Sequence, residues 1–411
     1  MQSPEGPESP ERPESPERTT LPSIATREPP SGAAAPSSRE PVVVSLTPAV
    51  FHLPEAVNAA SRAYGAHPIV PRGPRFKPLL DDARGGIVRA LGTREHEAIL
   101  LTGSGTTSMA AVLGSCLRPT ERLLVLRNGA YGDRILELAS TLGQPVLDLE
   151  RPYGERPELE RVETLAREGA FDAVAMVHGA TSTCSLNPVS ELAEIARRHG
   201  KKLLLDCVSA LFVERCDLEG WGVAAVMGSC NKGLHAHPNL TVSLVRRDLL
   251  DDMKSIRPRA PSLELRKAFD AQERGAHPYT IDPMSVLQVR AALEALTAEG
   301  GVEGRHAVYQ ARAALLREGY ARLGLRTYEH PGMPLSTIGT ALWFPEGVRY
   351  EPLADALASE PFEGHLFEIY AAQGKLSDRV FRIFHMGAYE LDVYRLFLGA
   401  LERALGRVRG R

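Results

Sequence analysis

Apolar side chains gather along the chain in short dense runs: AILLTG (98–103), RLLVLRN (122–128), DAVAMVHG (172–179), KLLLDCVS (202–209), AAVMGSC (224–230) and LTVSLV (240–245). Runs this short, rich in Val, Leu and Ile and lacking polar alternation, predict strands buried on both faces. Helical patterns lie between several of them. In NPVSELAEIARRHG (187–200), Asn187 is placed to cap, Pro188 suits a first turn, and Val189, Leu192 and Ala196 repeat at helical spacing. Arg197, Arg198 and Gly200 then close the helix. Strands alternating with helices predict an α/β fold, a mostly parallel sheet between two helical layers. Beyond residue 297 the texture changes to long helices, such as 306–324, and to short strands near TALWFP and VFRIFH, which predicts a smaller C-terminal α+β domain. The expected organisation is a tail over 1–40, an N-terminal arm over 41–75, a large domain over 76–297 and a small domain over 298–411.

The tail repeats PESPER at 7–12 and 13–18 and has almost nothing apolar to bury, so it is expected to be disordered. No other repeat occurs. The whole chain of 411 residues is 43% hydrophobic and 24% charged, with 48 basic and 51 acidic side chains, and its net charge of −3 gives no electrostatic reason to seek nucleic acid or anionic membrane. Cys116, Cys184, Cys207, Cys216 and Cys230 form neither a C-x-x-C pair nor a zinc-like spacing, and their odd number fits reduced thiols. No apolar run spans a bilayer, and the N-terminus lacks the basic-then-apolar pattern of a secretory signal. A cytoplasmic protein with no bound metal is the expectation.

In an open α/β sheet, ligands sit beyond the carboxyl ends of the strands. One such end is Gly103-Ser104-Gly105-Thr106-Thr107, which runs from a strand into an Ala-rich helix and has the small residues, hydroxyls and helix N-terminus of a phosphate cup. A plain strand-to-helix turn is the alternative. A dinucleotide site is disfavoured, because Ser108 replaces the third glycine and the next strand ends at Asn128 rather than at an acid. Asp206 closes KLLLD as a carboxylate in need of a cationic partner. Lys232 follows another buried run in a chain that prefers arginine, and an amine there suits Schiff-base chemistry. A lysine, a strand-end acid and a phosphate cup together are what pyridoxal 5'-phosphate requires. Arg382, within VFRIFH, is suited either to holding a substrate carboxylate or to a structural ion pair.

The chain resembles the class V, fold type I pyridoxal-phosphate aminotransferases from about Leu46 to the C-terminus. The matching stretches are LLTGSGTTSMAAVLGS, LRNGAYGDR, VHGATSTCSLNPV, LLLDCVSA, GSCNKG, EGGVEGRHAVY and GKLSDRVFRI. Within the family it is most similar to the 2-aminoethylphosphonate:pyruvate branch and more distantly to alanine:glyoxylate and serine:pyruvate enzymes. The resemblance implies that Lys232 bonds the cofactor and Asp206 partners its pyridinium nitrogen, with Ser104, Gly105 and Thr106 on its phosphate. It implies that Tyr131 stacks on the ring, that Thr181 lies near the ring and its phenolic oxygen, and that Ser229 and Asn231 reach toward the phosphate. It further implies that Thr280 reaches a neighbouring subunit's cofactor, hence a homodimer with shared sites, and that Arg382 holds the substrate carboxylate. The implied activity is transfer of an amino group from a small amine or amino acid to a keto acid such as pyruvate, in two half-reactions.

Departures fall in the substrate shell. The family's usual Pro-Gly-Pro is Pro48-Ala49-Val50 followed by Phe51 and His52. His235 and His237 follow the lysine where relatives carry a glycine-containing turn, and Ile383-Phe384-His385 replaces the usual Ile-Gly. The two histidines are expected to line the pocket or the surface rather than bind metal. Elimination, retro-aldol cleavage or desulfuration on the same scaffold is the alternative chemistry, although Cys207 and Cys230 lie at strand ends and are expected to be packing residues. A non-catalytic cofactor-binding module would be expected to carry a fused DNA-binding domain, which the polar tail cannot form.

Overall fold

The computed structural model describes residues 40–410, so the expected tail lies, except for Glu40, outside the described residues. Strand β1 (Val42–Ser45) leads through α1 (Glu55–Ala66) and α2 (Phe76–Ala90) into β2 (His96–Thr102). Then follow α3 (Gly105–Cys116), β3 (Leu123–Arg127), α4 (Ala130–Thr141), β4 (Val146–Glu150), α5 (Leu159–Arg167) and β5 (Ala173–Val177). A small hairpin, β6 (Gly179–Ala180) and β7 (Ser185–Leu186), precedes α6 (Val189–Arg198), β8 (Lys202–Asp206), β9 (Val223–Met227) and β10 (Leu240–Arg246). Helices α7 (Arg247–Asp252), α8 (Leu265–Glu273), α9 (Pro283–Ala298) and α10 (Gly301–Arg322) lead to β11 (Gly339–Trp343), α11 (Tyr350–Ser359), β12 (His365–Glu368), β13 (Tyr370–Ala371), β14 (Val380–Phe384) and α12 (Leu391–Arg409).

The central sheet has the order β2-β10-β9-β8-β5-β3-β4, parallel except that β10 runs against both of its neighbours. All six expected strands are in it, because each is covered on both faces. Leu203 and Leu205 of β8 point into one apolar layer with Val174 and Met176 of β5, while Leu204 points into the other with Ala173 and Ala175. Each such leucine contributes about 1.5–3 kcal/mol through its burial. The seventh strand, β4, has no dense apolar run; it is an edge strand whose acids Asp148 and Glu150 meet Arg127 of β3 at 2.6 and 2.9 Å.

The C-terminal region is α+β as expected, with the sheet order β11-β14-β13. Its core also takes in Val44, Leu46 and Phe51 from the N-terminal arm, and β1 pairs with β12 in parallel. One expectation is corrected. Asn187 does not cap α6: its amide donates to the Val177 carbonyl at 2.7 Å and its Oδ1 accepts from Asn128 at 2.7 Å, and Pro188 takes the N-cap position. The two amides, one after β3 and one after β7, satisfy each other better than a cap would, since both are buried.

Because β10 is reversed, Met227 at the end of β9 and Leu240 at the start of β10 lie at the sheet edge that also carries Asp206 and Thr102. The topology therefore gathers the segment containing Lys232, the Asp206 strand end and the N-terminus of α3.

Candidate active site

The turn into α3 is built by two glycines. Gly103 has φ of +139°, and a Cβ there would meet the Thr107 hydroxyl at 2.2 Å. The Ser104 N–H donates to that hydroxyl at 3.2 Å and the Thr107 N–H donates to the Ser104 carbonyl at 2.8 Å, closing the turn. Gly105 packs against the Asp206 loop, where a Cβ would lie 2.6 Å from Val208 Cγ1. The first N–H groups of a helix have no partner within it and point outward beside a positive dipole end, which suits an anion. Gly105→Ala is expected to cost about 1–3 kcal/mol by overpacking. Adding Val208→Ala should restore stability, as read by thermal unfolding; an unaffected single variant would contradict the packing described.

Asp206 is 2% exposed, and its Oδ1 accepts from the Val208 N–H at 2.9 Å. Burial pushes its carboxyl up to about 6, against the pull of that N–H, His178 and Lys232. Lys232 donates from Nζ to the Pro48 carbonyl of the N-terminal arm. Burial brings its ammonium down to about 8, with a further push from Arg382 and an opposing pull from Asp206. Lys232 thus lies in the electrostatic range of both Asp206 and Arg382.

Arg382 on β14 is 1% exposed. Its Nη1 donates to the Thr181 carbonyl at 2.9 Å, and its Nε and Nη2 donate to the Ala371 carbonyl at 3.0 and 2.6 Å. The expected structural ion pair is not there: among the described residues Arg382 has no carboxylate partner. Its guanidinium lies over Phe384 at 5.4 Å, so one departure of the sequence forms a wall of this site. Thr181 is 1% exposed, and the Ser182 hydroxyl beside it accepts from the Ala130 N–H at 3.3 Å, fixing the start of α4 and so Tyr131. Tyr131 is partly buried and within electrostatic range of Arg382.

Ser229 and Asn231 hydrogen-bond to each other through their side chains. Thr280 is exposed on the loop between α8 and α9. His235 is not a surface residue: it is 2% exposed, meets the Tyr309 hydroxyl at 2.6 Å and packs edge-on against Phe51 at 5.3 Å. Cys230, Cys184 and Cys116 are buried with thiols pushed up to about 12, as packing residues should be.

Sequence reasoning missed two supports. Arg305 of α10, fully buried, donates to the Gly233 carbonyl at 2.6 Å and pairs with Glu299 at 2.7 Å, so it braces the residue after Lys232. Glu214 is also buried; it accepts from the Ser336 hydroxyl and the Thr337 N–H, both at 2.6 Å, and ties the segment between β8 and β9 to the approach to β11. The only sequence signal for Arg305 is its place in EGGVEGRHAVY.

A lysine amine in the field of a strand-end acid, a helix N-terminus with two close-packed glycines and a buried guanidinium with no carboxylate partner among the described residues are the donor set that pyridoxal phosphate needs, and these residues fit that group. Residues 34–333 match the family model of aminotransferase class-V. The chain is 35% identical to the 2-aminoethylphosphonate–pyruvate transaminase of Phocaeicola vulgatus over 61% of its length and 70% of that protein's. It is 32% identical to the enzyme of that name from Vibrio cholerae over 75% of this chain and 84% of the other. A solved structure of aspartate aminotransferase, subgroup IV, from Thermus thermophilus superposes with a TM-score of 0.78 at 30% identity, covering 88% of this chain and 99% of that one. The chain belongs to the class-V aminotransferase family, and it is a transaminase.

Proposed function

We propose that the protein binds pyridoxal 5'-phosphate and transfers the amino group of 2-aminoethylphosphonate, or a close analogue, to pyruvate. The observation that carries this reading is a half-buried amine, Lys232, whose ammonium is brought down to about 8 by desolvation and by Arg382 against the pull of Asp206, together with the buried Arg382 guanidinium, which has no carboxylate partner among the described residues. The names of the relatives from P. vulgatus and V. cholerae supply the substrate pair.

Ser104, Gly105 and Thr106 would hold the phosphate at the α3 N-terminus, with Ser229 and Asn231 alongside; Tyr131 would cover the ring and Thr181 its edge. Thr280, exposed on its loop, would complete the site of a second copy in a homodimer. Bound pyridoxal phosphate supplies an aldehyde that links to amines and a ring that accepts the electron pair released when the donor carbon loses a proton. Asp206 would hold a proton on the ring nitrogen, a role that suits a buried carboxyl pushed up to about 6, since a cationic N–H beside it favours its ionised form. The neutral Nζ of Lys232 would take and carry the proton of the amine-bearing carbon. Arg382, pre-positioned by three hydrogen bonds to carbonyls, orients the keto acid through its carboxylate. The five free cysteines support a reducing, cytoplasmic setting. Among the described residues no helix is long and apolar enough to cross a membrane.

The test is the absorption spectrum of the cofactor-loaded protein on addition of 2-aminoethylphosphonate without acceptor. Conversion of the lysine-linked band to that of the amine form, reversed by pyruvate with release of alanine, is the expected result. A lysine-linked band that stays unchanged would exclude this donor, while pyruvate or sulfide released without any acceptor would favour elimination or desulfuration.

A further inference from the structure

Behind Asp206, on residues that the transamination reading does not use, lies a cluster of soft donors. His178 follows β5, Cys207 follows β8, and Cys216 lies on the crossing to β9. One ligand atom of each, an imidazole nitrogen and two sulfurs, lies within 4.8 Å of the others, and the Cys216 Sγ is 3.3 Å from His178 Nδ1. In a tetrahedral zinc site with bonds of about 2.0–2.3 Å, ligand atoms stand about 3.5–3.8 Å apart. The 3.3 Å separation lies just below that range and none of the others exceeds 4.8 Å, so closing round an ion requires shifts of about an ångström or less. His178 and Cys207 are buried while Cys216 is partly exposed. Cys216 also lines a cleft of about 460 Å³ between the Arg89–Gly92 turn and the start of α10, which gives an ion an access route.

We propose that His178, Cys207 and Cys216 form a binding site for one zinc ion, with water in the fourth position. Two sulfurs and an imidazole select a thiophilic ion over magnesium or calcium, which take oxygen ligands. Binding replaces the two thiol protons, so Zn²⁺ enters and two H⁺ leave, and the three segments become one unit. The consequence reaches the active site. Asp206 immediately precedes Cys207, and its carbonyl accepts from the His178 N–H at 2.8 Å, so the ion fixes the strand end that presents the carboxylate. The sequence concealed this site because its ligands stand at 178, 207 and 216, outside any zinc spacing, and only the parallel order of β5, β8 and β9 brings them together.

The test uses the full chain with reduced thiols, stripped by a chelator and titrated with zinc against a chromophoric competitor. One equivalent per chain is expected, with Cys207 and Cys216 protected from alkylation, Cys116 unaffected by loading, and a thiolate-to-metal band on substitution with cobalt. Cys216→Ser, at the partly exposed position, should lower affinity by more than about a hundredfold, since losing a ligand exceeds the 10–100-fold typical of a supporting residue. His178→Gln is the second variant, and thermal unfolding shows that each is folded. Absence of binding by the reduced wild-type chain, wild-type affinity in Cys216→Ser, or isolation of a Cys207–Cys216 disulfide that takes up no zinc when reduced would each overturn the site. None of these measurements depends on transaminase activity.

Discussion

Lys232→Ala should reduce turnover by more than about 10⁴-fold, because in the proposed reaction one nitrogen provides both the covalent anchor and the proton carrier. The fold should tolerate the change. Among the described residues the Lys232 side chain makes one hydrogen bond, to the Pro48 carbonyl, and belongs to no apolar cluster. The other holding groups, Asp206 and the α3 N-terminus, remain, so the variant should still take up pyridoxal phosphate, now without the lysine-linked absorption band. Equilibrium dialysis with the cofactor and an alanine-formation assay separate these outcomes. A variant that keeps both band and turnover would remove Lys232 from the mechanism.

For Arg382 the expected loss falls on the keto acid. Truncating one partner of a buried, hydrogen-bonded charge pair costs about 2–5 kcal/mol, or about 30- to 5,000-fold in kcat/KM. In Arg382→Ala this should appear mainly as a raised KM for pyruvate, with the cofactor band intact. Arg382→Lys should recover little. A single ammonium cannot bond the Thr181 and Ala371 carbonyls and still present a planar pair of donors to a carboxylate. Steady-state kinetics with pyruvate and with a carboxylate-free carbonyl acceptor tests the assignment: both acceptors losing rate equally would make Arg382 structural.

What could be read from the sequence follows the physics of burial. Strands covered on both faces announce themselves as apolar runs, and the residues ending them mark the site edge, which is how Asp206, Lys232 and the Gly103–Thr107 turn were legible. Strand β4 was not, since an edge position let it carry Asp148 and Glu150, and their match to Arg127 exists only after pairing. Asn187 looked like a cap because the local pattern permits one, and a partner 59 residues away, Asn128, decided otherwise. Glu214 and Ser336, 122 residues apart, were invisible for the same reason. The roles proposed for Tyr131, Thr181 and Thr280 came from family resemblance rather than from spacing, while the bulky departures Phe51, His235 and Phe384 showed their packing only in the fold.

The most direct measurement is borohydride reduction of the cofactor-loaded protein followed by peptide mass mapping, repeated on apoprotein exposed to cofactor at several pH values. Lys232 must be neutral to bond the aldehyde, and its ammonium is held down to about 8 from an ordinary 10.5. The trapped fraction should therefore rise with pH through about 8, well below the range of an ordinary lysine. A pyridoxyl group on Lys232 with that profile is the expected result. A label on another lysine, or none at Lys232 at any pH, would contradict the central assignment.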